Sequence, residues 1–207
     1  EAVRGCTFGV RTGEVFGLLG ANGAGKTTTM SAVMRAVEPT SGDVAISGTS
    51  VLSSFAQASE HLAVVNQHNT LWDALSCADH LRLFARLRML ESEVEEAVAA
   101  TLARVELLNH ADKPAGRLSG GMKRKLCGAC ALIGDPQIVL LDEPSAGLDP
   151  VSQRNLWNLI KATMAGRAVV LTTHSMVEAD FLCDRIGIMV QGQLRCLGTS
   201  DHLKQRY

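Results

Sequence analysis

The sequence predicts an α/β fold in which a mostly parallel β-sheet carries an inserted block of helices. Short apolar runs with the length of buried strands alternate with stretches of helical periodicity, which is typical of a parallel sheet. Between residues 70 and 132, by contrast, the apolar residues follow helical spacing throughout, and no segment alternates like a strand. We therefore expect a sheet-based core with a helical subdomain inserted into it.

The first part of the chain predicts strands around one helix. Two short β-like runs flank Thr12-Gly13-Glu14, which we interpret as a hairpin turn in an N-terminal antiparallel β portion. A helix is expected from Lys26 to about Val37 and ended by Pro39. Further strands are expected at residues 44–46 and 62–65.

The helical block predicts three helices, and strands return after it. Apolar residues at helical spacing mark the first two, at Leu81, Phe84 and Leu87, and at Val94, Val98, Thr101, Leu102 and Val105. The third is expected from Gly120 to Leu132, with Ser119 as its N-cap. Later strands are expected at 138–141, 168–172 and 185–190, then a turn at 191–193, a strand at 194–197 and a helix from Ser200.

Composition and charge argue against several classes of protein. The 207 residues suffice for one α/β domain with an inserted subdomain. Lys and Arg together number 20 against 21 Asp and Glu, so the net charge of −1 provides no basic field for nucleic acid. No stretch approaches the ~18 apolar residues of a membrane span, and the sequence from Glu1 does not resemble a signal peptide. We expect the chain itself to be soluble and not to bind nucleic acid.

The six cysteines indicate a reducing, cytosolic environment. They lie mostly within apolar segments and lack the dense pattern of a secreted disulfide scaffold. Cys127 and Cys130 form a C-x-x-C, but no second pair or nearby histidine completes a zinc site. We interpret them as small residues on one face of a helix.

A glycine-rich loop between a predicted strand and a predicted helix is the most informative stretch. We call it the phosphate loop; it matches G-x-x-x-x-G-K-[ST] and comprises Gly20, Ala21, Asn22, Gly23, Ala24, Gly25, Lys26, Thr27 and Thr28. Glycines let backbone N–H groups surround an anion, and the helix N-terminus adds a positive dipole end. Lys26 is expected to reach the β- and γ-phosphates and Thr27 to ligate Mg²⁺, so a nucleoside triphosphate is predicted.

Two acids follow the apolar run at residues 138–141. Asp142 and Glu143 thus lie at the carboxyl end of a predicted strand, where α/β sheets bind their ligands. Asp142 is expected to hold Mg²⁺, commonly through water, and Glu143 to polarise an attacking water as general base.

A second anion site is predicted where Leu118-Ser119-Gly120-Gly121-Met122 opens a helix. A serine and two glycines at a helix N-terminus can bind an anion. Taken alone, the same residues are also typical of an ordinary helix cap. On this motif by itself the helix cap is the favoured interpretation, and the anion site stays open.

Taken in order, these motifs resemble the ATPase domain of an ABC transporter over essentially the whole chain. The resemblance rests on the phosphate loop, residues 118–121, residues 142–150 and Thr172-Thr173-His174. Residues 122–126 resemble the signature helix of the A subfamily, the lipid exporters, and residues 66–69 and 81–87 are similar to that subfamily too. A P-loop NTPase (RecA-like) fold is implied: a single domain, 1–207, with 1–69 and 133–207 as catalytic core and 70–132 as helical subdomain.

The resemblance also implies roles for individual residues. Gln67 would contact Mg²⁺ and the lytic water and sense a transmembrane domain, and His174 would contact the γ-phosphate. Residues 145–149 would line the interface with a second ABC ATPase domain. Ser119, Gly120 and Gly121 would complete the ATP site of that partner, whose own motif would complete the site at Lys26.

The resemblance implies a function as well as a fold. The chain would bind and hydrolyse ATP at the cytoplasmic face of a membrane, as part of an integral membrane transporter that exports lipid or sterol, without touching the cargo. Neither Phe8 nor Phe16 matches the aromatic residue that stacks on adenine in such domains, and the chain is expected to be truncated at both ends relative to a full domain.

Three alternative functions share some of these features. A drug or antibiotic exporter shares much of the pattern and stays open. A soluble ABC protein acting on ribosomes or DNA is disfavoured because the chain lacks a basic patch. A nucleotide switch without hydrolysis is disfavoured because Glu143 and His174 are both present.

Overall fold

The computed structural model describes residues 2–206, with side chains up to residue 205. It divides into two compact units. The first contains the described residues up to 64, residues 137–143 and the described residues from 166 onward; the second contains residues 65–136 and 144–165. The predicted boundaries of the helical subdomain, 70 and 132, stay a prediction.

A six-stranded sheet is the centre of the first unit. Its strands are β1 (Val15–Leu19), β4 (Leu62–Val65), β5 (Ile138–Asp142), β6 (Ala168–Thr173), β7 (Arg185–Val190) and β8 (Gln193–Gly198), in the spatial order β4-β5-β6-β1-β7-β8. β6 runs parallel to β5 and β1, β1 runs parallel to β7, and β8 is antiparallel to β7. Two further strands, β2 (Ala45–Ile46) and β3 (Thr49–Ser50), form a separate antiparallel pair. The predicted α/β class with a mostly parallel sheet is confirmed.

Four helices belong to this unit, and apolar side chains fill the space between them and the sheet. The helices are α1 (Lys26–Val33), α2 (Phe55–Ala58), α7 (Met176–Leu182) and α8 (Ser200–Arg206). Phe16, Leu18, Met30 and Leu140 are fully buried in this core. The near-continuous apolar runs of β1, β5 and β6 are what a sheet covered on both faces requires.

The register of three neighbouring strands brings their following loops to one edge of the sheet. Thr172 on β6 pairs with Leu18 on β1 and with Asp142 on β5. Because these strands are parallel, the residues after them share the carboxyl edge, where open α/β sheets place their ligands. The phosphate loop, Glu143 and His174 are those residues.

Helix α1 ends earlier than predicted. It stops at Val33 because Arg35 adopts a left-handed backbone, with φ of 53°. The Ala36 N–H then donates to Ser31 O at 2.8 Å, and the Arg35 N–H donates to Ala32 O at 3.1 Å. This is the hydrogen-bond pattern of a Schellman C-cap, formed here without the usual glycine.

The predicted N-terminal hairpin is wrong in its first strand. The turn itself forms, since the Glu14 N–H donates to Arg11 O at 3.1 Å and β1 follows. The described residues before it, 2–11, contain no strand. Their backbone atoms bind other partners instead: the Arg11 N–H donates to the Glu14 carboxylate, Gly9 O accepts from Arg185, and the Arg4 N–H donates to Gly192 O. The antiparallel strand pairs among the described residues are β2–β3 and β7–β8, so neither lies at the predicted N-terminal position.

The second unit is helical and has its own core. Its helices are α3 (Cys77–Arg86), α4 (Val94–Arg104), α5 (Gly120–Leu132) and α6 (Pro150–Thr163). Leu81 and Leu102 are buried between them, as the helical spacing predicted, and Leu126 of α5 joins the same core. Leu87 lies just beyond the end of α3 and is 75% exposed, so its predicted place on one helix face with Leu81 and Phe84 is wrong.

Side chains cap the N-termini of α3, α5 and α6 in the second unit. Ser76 and Asp79 form a capping box on α3. The Met122 N–H donates to Ser119 Oγ at 3.3 Å, so the predicted N-cap of α5 is confirmed. Asp149 caps α6, where Pro150 occupies the first turn at no cost in hydrogen bonds.

Two glycines test the packing of the core. A Cβ at Gly17 would lie 2.6 Å from Cys183 Sγ, so Gly17→Ala should lower the free energy of unfolding by about 1–3 kcal/mol through overpacking. A Cβ at Gly128 on α5 would meet nothing within 4 Å, so Gly128→Ala should raise the free energy of unfolding by about 0.5–1 kcal/mol. Denaturant unfolding measures both; a Gly17→Ala variant as stable as the parent would contradict this description of the core.

Candidate functional site

The phosphate loop joins β1 to α1 and lies against the turn between β7 and β8. The Gly192 N–H donates to Ala24 O at 2.9 Å. A Cβ at Gly20 would lie 2.5 Å from Met189 O, and Gly25 has φ of 104°. Gly20 is therefore required by a close backbone approach and Gly25 by its left-handed conformation.

The Lys26 side chain is buried at the start of α1. Its ammonium donates to Gly20 O at 2.8 Å and to Ala21 O at 3.2 Å, and it lies 3.4 Å from Glu143 Oε1. Burial of an ammonium is costly unless it is paired and hydrogen-bonded, and these partners provide both. Lys26 is thus folded onto its own loop, within reach of an anion bound there.

The Glu143 carboxylate lies between Lys26 and His174. Glu143 Oε2 is 3.1 Å from His174 Nδ1, while Oε1 faces Lys26. Glu143 is buried, whereas 53% of the His174 side chain is exposed. The arrangement leaves a carboxylate between a buried cation and an accessible imidazole.

The backbone of Glu143 is strained. Its φ is 44°, in the left-handed region that costs a non-glycine residue on the order of 1–2 kcal/mol. The Glu143 N–H donates to Thr172 Oγ1 at 3.0 Å and to Thr172 O at 3.1 Å, which helps to hold this conformation. Strain of this kind persists only where the surroundings enforce it, and it concentrates at functional sites.

Asp142 is joined to the phosphate loop through hydroxyl groups. Thr27 Oγ1 donates to Asp142 Oδ1 at 3.4 Å, and the Thr172 hydroxyl donates to the same oxygen. A hydroxyl and a carboxylate oxygen together match the hard oxygen ligands that Mg²⁺ takes, so this pair fits that ion. Sequence reasoning missed the role of Thr172, which orients Asp142 and Glu143 together.

A cavity of about 500 Å³ adjoins the phosphate loop within the first unit. Residues from the ends of β1 and β7, from the loop and from the segment after β6 line it, namely Leu19–Ala24, Ile188–Gln191, His174 and Met176. It therefore connects the backbone N–H groups of the loop with the exposed imidazole.

The remaining predicted site residues lie in the second unit. Gln67 follows β4 and is exposed. Ser119 and Gly120 are exposed at the N-terminus of α5, and a Cβ at Gly121 would lie 3.3 Å from Ser152 Oγ. Near them, the Ser152 hydroxyl and backbone N–H hold the pKa of the Asp149 carboxyl below its usual range. The start of α5 thus presents backbone donors to solvent.

The C-x-x-C motif lies on α5, with its cysteines one turn apart. Burial raises the pKa of both the Cys127 and the Cys130 thiol, which disfavours the thiolate that binds a metal. Within residues 2–206, no group of three or more His, Cys, Asp or Glu side chains could hold a metal ion. None of the helices in the described part is long and apolar enough to cross a membrane.

Comparison with known proteins identifies the family. A family model described as ABC transporter matches residues 3–146, which include the phosphate loop, Ser119–Gly121 and both acids. The chain belongs to the ABC transporter family. Its domain is an ATP-hydrolysing domain of that family, as the resemblance implied.

The relatives include A-family members of one plant. The chain is 47% identical to ABC transporter A family member 12 and 46% identical to member 7 of Arabidopsis thaliana, over its whole length in both cases. It spans 23% and 22% of the lengths of those proteins.

Solved structures of ABC proteins share the fold. One is titled as the ATP binding subunit of an ABC transporter; the match has a TM-score of 0.85 and 29% identity and covers 99% of this chain and 86% of the other. Another is cbiO1 from Clostridium perfringens, part of the ABC transporter complex cbiONQ, with a TM-score of 0.89, 26% identity and coverage of 99% and 84%. The predicted P-loop NTPase fold of this ABC domain is confirmed.

Thr172→Val tests the hydroxyl that this ABC domain places between its two acids. Loss of the hydroxyl removes one of two donors to Asp142 Oδ1 and one of two acceptors from the Glu143 N–H. We expect Mg²⁺-dependent ATP hydrolysis to fall about tenfold, because a misoriented catalytic group loses transition-state stabilisation.

The control for this experiment is Thr172→Ser, which keeps the hydroxyl and should stay close to the parent. Hydrolysis is measured across a Mg²⁺ titration, and the half-saturating concentration should rise for valine only. Equal rates and equal Mg²⁺ dependence for valine and serine would show that the hydroxyl has no such role.

Proposed function

We propose that this ABC domain binds ATP with Mg²⁺ at the phosphate loop, hydrolyses it with Glu143 as general base, and thereby drives a transporter that moves lipid across a membrane. The observation that carries the proposal is the Glu143 carboxylate, held between Lys26 and His174 at the edge of the sheet. Family membership supports the hydrolysis of ATP.

Lys26 exchanges partners when the triphosphate binds. Its ammonium lies 3.4 Å from Glu143 Oε1, and phosphate oxygens carry more negative charge than that one carboxylate. They therefore compete with Glu143 for Lys26, whose ammonium leaves the carboxylate and pairs with the β- and γ-phosphates. The backbone N–H groups from Gly20 to Gly25 and the N-terminus of α1 hold the same anion.

Glu143 becomes available as a base through this exchange. Its carboxylate accepts a proton from the water that attacks the γ-phosphorus, and His174 on its other side donates toward the phosphate. Thr27, Asp142 and Gln67 would hold Mg²⁺, and Gln67 would also contact the water. When bound, Mg²⁺ offsets the negative charge of the phosphate oxygens.

A second ABC ATPase domain completes the site. Ser119, Gly120 and Gly121 open the 13-residue helix α5, and the exposure of Ser119 and Gly120 supports binding of an anion presented from outside the chain. In the dimer they contact the ATP held by the partner domain, and the partner's motif contacts the ATP held at Lys26. Hydrolysis is therefore efficient only in the dimer.

The domain acts at the cytoplasmic face of a membrane, next to a transmembrane domain. Two observations support this. The relatives are named as transporters, and the chain covers 22–23% of their length. Identity of 46–47% with A-family members favours lipid as the cargo over a drug or antibiotic, given the resemblance to the lipid-exporting subfamily. The cargo does not touch this domain.

Glu143→Gln separates binding from hydrolysis. The amide keeps the size of the side chain but cannot accept the proton, so turnover should fall at least about 100-fold while ATP affinity is retained. Steady-state phosphate release and equilibrium binding of ATP measure the two quantities in the complete protein.

The matched control is Glu14→Gln. Glu14 also pairs with a cation, Arg185 at 3.0 Å, but it precedes β1 and so lies at the opposite edge of the sheet. Its turnover should stay within about twofold of the parent. If Glu143→Gln hydrolysed ATP at the parental rate, the assignment of the general base would be wrong.

A further inference from the structure

Arg124 is a buried cation on α5 that none of the predicted roles uses. It lies four residues after Gly120 and is 4% exposed. We propose that Arg124 is a positioning residue, which fixes the loop carrying Gln67 and the segment that follows Glu143 to the helix that begins with Ser119–Gly121. This inference rests on the proposed function, because it assigns Arg124 to the same hydrolytic site.

The guanidinium of Arg124 joins two segments that are distant in sequence. Its Nε donates to Pro144 O at 2.6 Å, across 20 residues. Its Nη1 donates to Asn66 O at 2.8 Å, across 58 residues, and to Asn69 Oδ1 at 3.5 Å. One side chain therefore holds backbone carbonyls from both segments.

The chemistry of arginine suits this bridge. The guanidinium presents its donors in a rigid planar fork, so bonds from Nε and Nη1 hold the two carbonyls in a fixed relation to each other. A lysine ammonium is a compact charge on a flexible stem and imposes no such relation. Burial of a cation is unfavourable unless it has good hydrogen-bond partners. Without these carbonyls, an apolar side chain would fit this helix face better.

Both anchored carbonyls adjoin residues of the proposed site. Asn66 O belongs to the peptide plane that contains the Gln67 nitrogen, so holding this oxygen sets the direction in which the chain enters Gln67. Pro144 directly follows Glu143, and its ring already fixes φ. Once its carbonyl is held as well, both soft dihedrals of Pro144 are restrained.

The position of Arg124 on α5 gives the bridge a further consequence. Ser119 caps this helix and Arg124 lies on its second turn, so the two move together as parts of one rigid element. A displacement of α5 on contact with the partner's nucleotide would carry Arg124 with it. The same helix therefore connects the partner's ATP site with the residues next to Gln67 and Glu143.

Arg124→Met in the complete protein tests this role. Methionine fills a similar length without any donor, so the segments at 66–69 and 144–148 should lose their anchor. We expect kcat for ATP hydrolysis to fall about 100-fold while KM stays within about twofold, because the phosphate loop is unchanged but the catalytic groups are misplaced. Backbone hydrogen exchange should rise in these two segments and not elsewhere.

Two further variants make the outcome decisive. Arg124→Lys keeps the charge and should also lose most of kcat, which shows that the fork matters and guards against a methionine variant that fails to fold. Arg88→Met is the matched control, because Arg88 also donates to carbonyls of α5 or just after it, Ala131 O at 3.5 Å and Ile133 O at 3.3 Å. Its kcat and the exchange of residues 66–69 should match the parent.

The inference and the proposed function fail in different ways. A parent protein without ATP hydrolysis would contradict the proposed function. A hydrolysing parent whose Arg124→Met or Arg124→Lys variant keeps its kcat would overturn the positioning role alone. A loss of kcat and ATP affinity together, with hydrogen exchange raised throughout the second unit, would show that Arg124 only stabilises the fold.

Discussion

The candidate site is organised around the carboxylate of Glu143, which lies between the Lys26 ammonium and the His174 imidazole. A buried carboxylate next to a buried cation is stable only while the two remain paired. In the proposed function, a triphosphate at the phosphate loop would offer Lys26 a stronger partner, so nucleotide binding would also release the base. The strained backbone of Glu143 fits a residue held for its chemistry.

The register of the parallel strands brings Glu143, Lys26 and His174 together. Leu18, Asp142 and Thr172 lie side by side on parallel strands, so the phosphate loop, Glu143 and His174 emerge at one edge although more than a hundred residues separate the first from the others. Thr172 completes the arrangement by binding both acids. The helical unit contributes different chemistry: an exposed helix N-terminus and the buried Arg124.

The sequence predicted the features that depend on local pattern. Apolar runs located β4, β5 and β7, and the spacing of Lys26 and Thr27 after glycines indicated the phosphate loop. Features that depend on tertiary contacts were not predicted from the sequence. Arg35 takes the left-handed role that a glycine would have signalled, Gly9 binds the distant Arg185 instead of a strand, and the basic run around Arg124 looks like solvent-exposed charge. A conformation or a partner fixed by residues far along the chain leaves no periodic signal.

Equilibrium binding of ATP to a Lys26→Ala variant is the most direct test of the central claim. The affinity should fall about 10- to 100-fold, as expected for the loss of charge-assisted hydrogen bonds to phosphate. Lys204→Ala removes an exposed lysine that pairs with Asp180 at 2.7 Å, and its affinity should equal that of the parent. An unchanged affinity in Lys26→Ala would contradict the assignment of the phosphate loop and the function built on it.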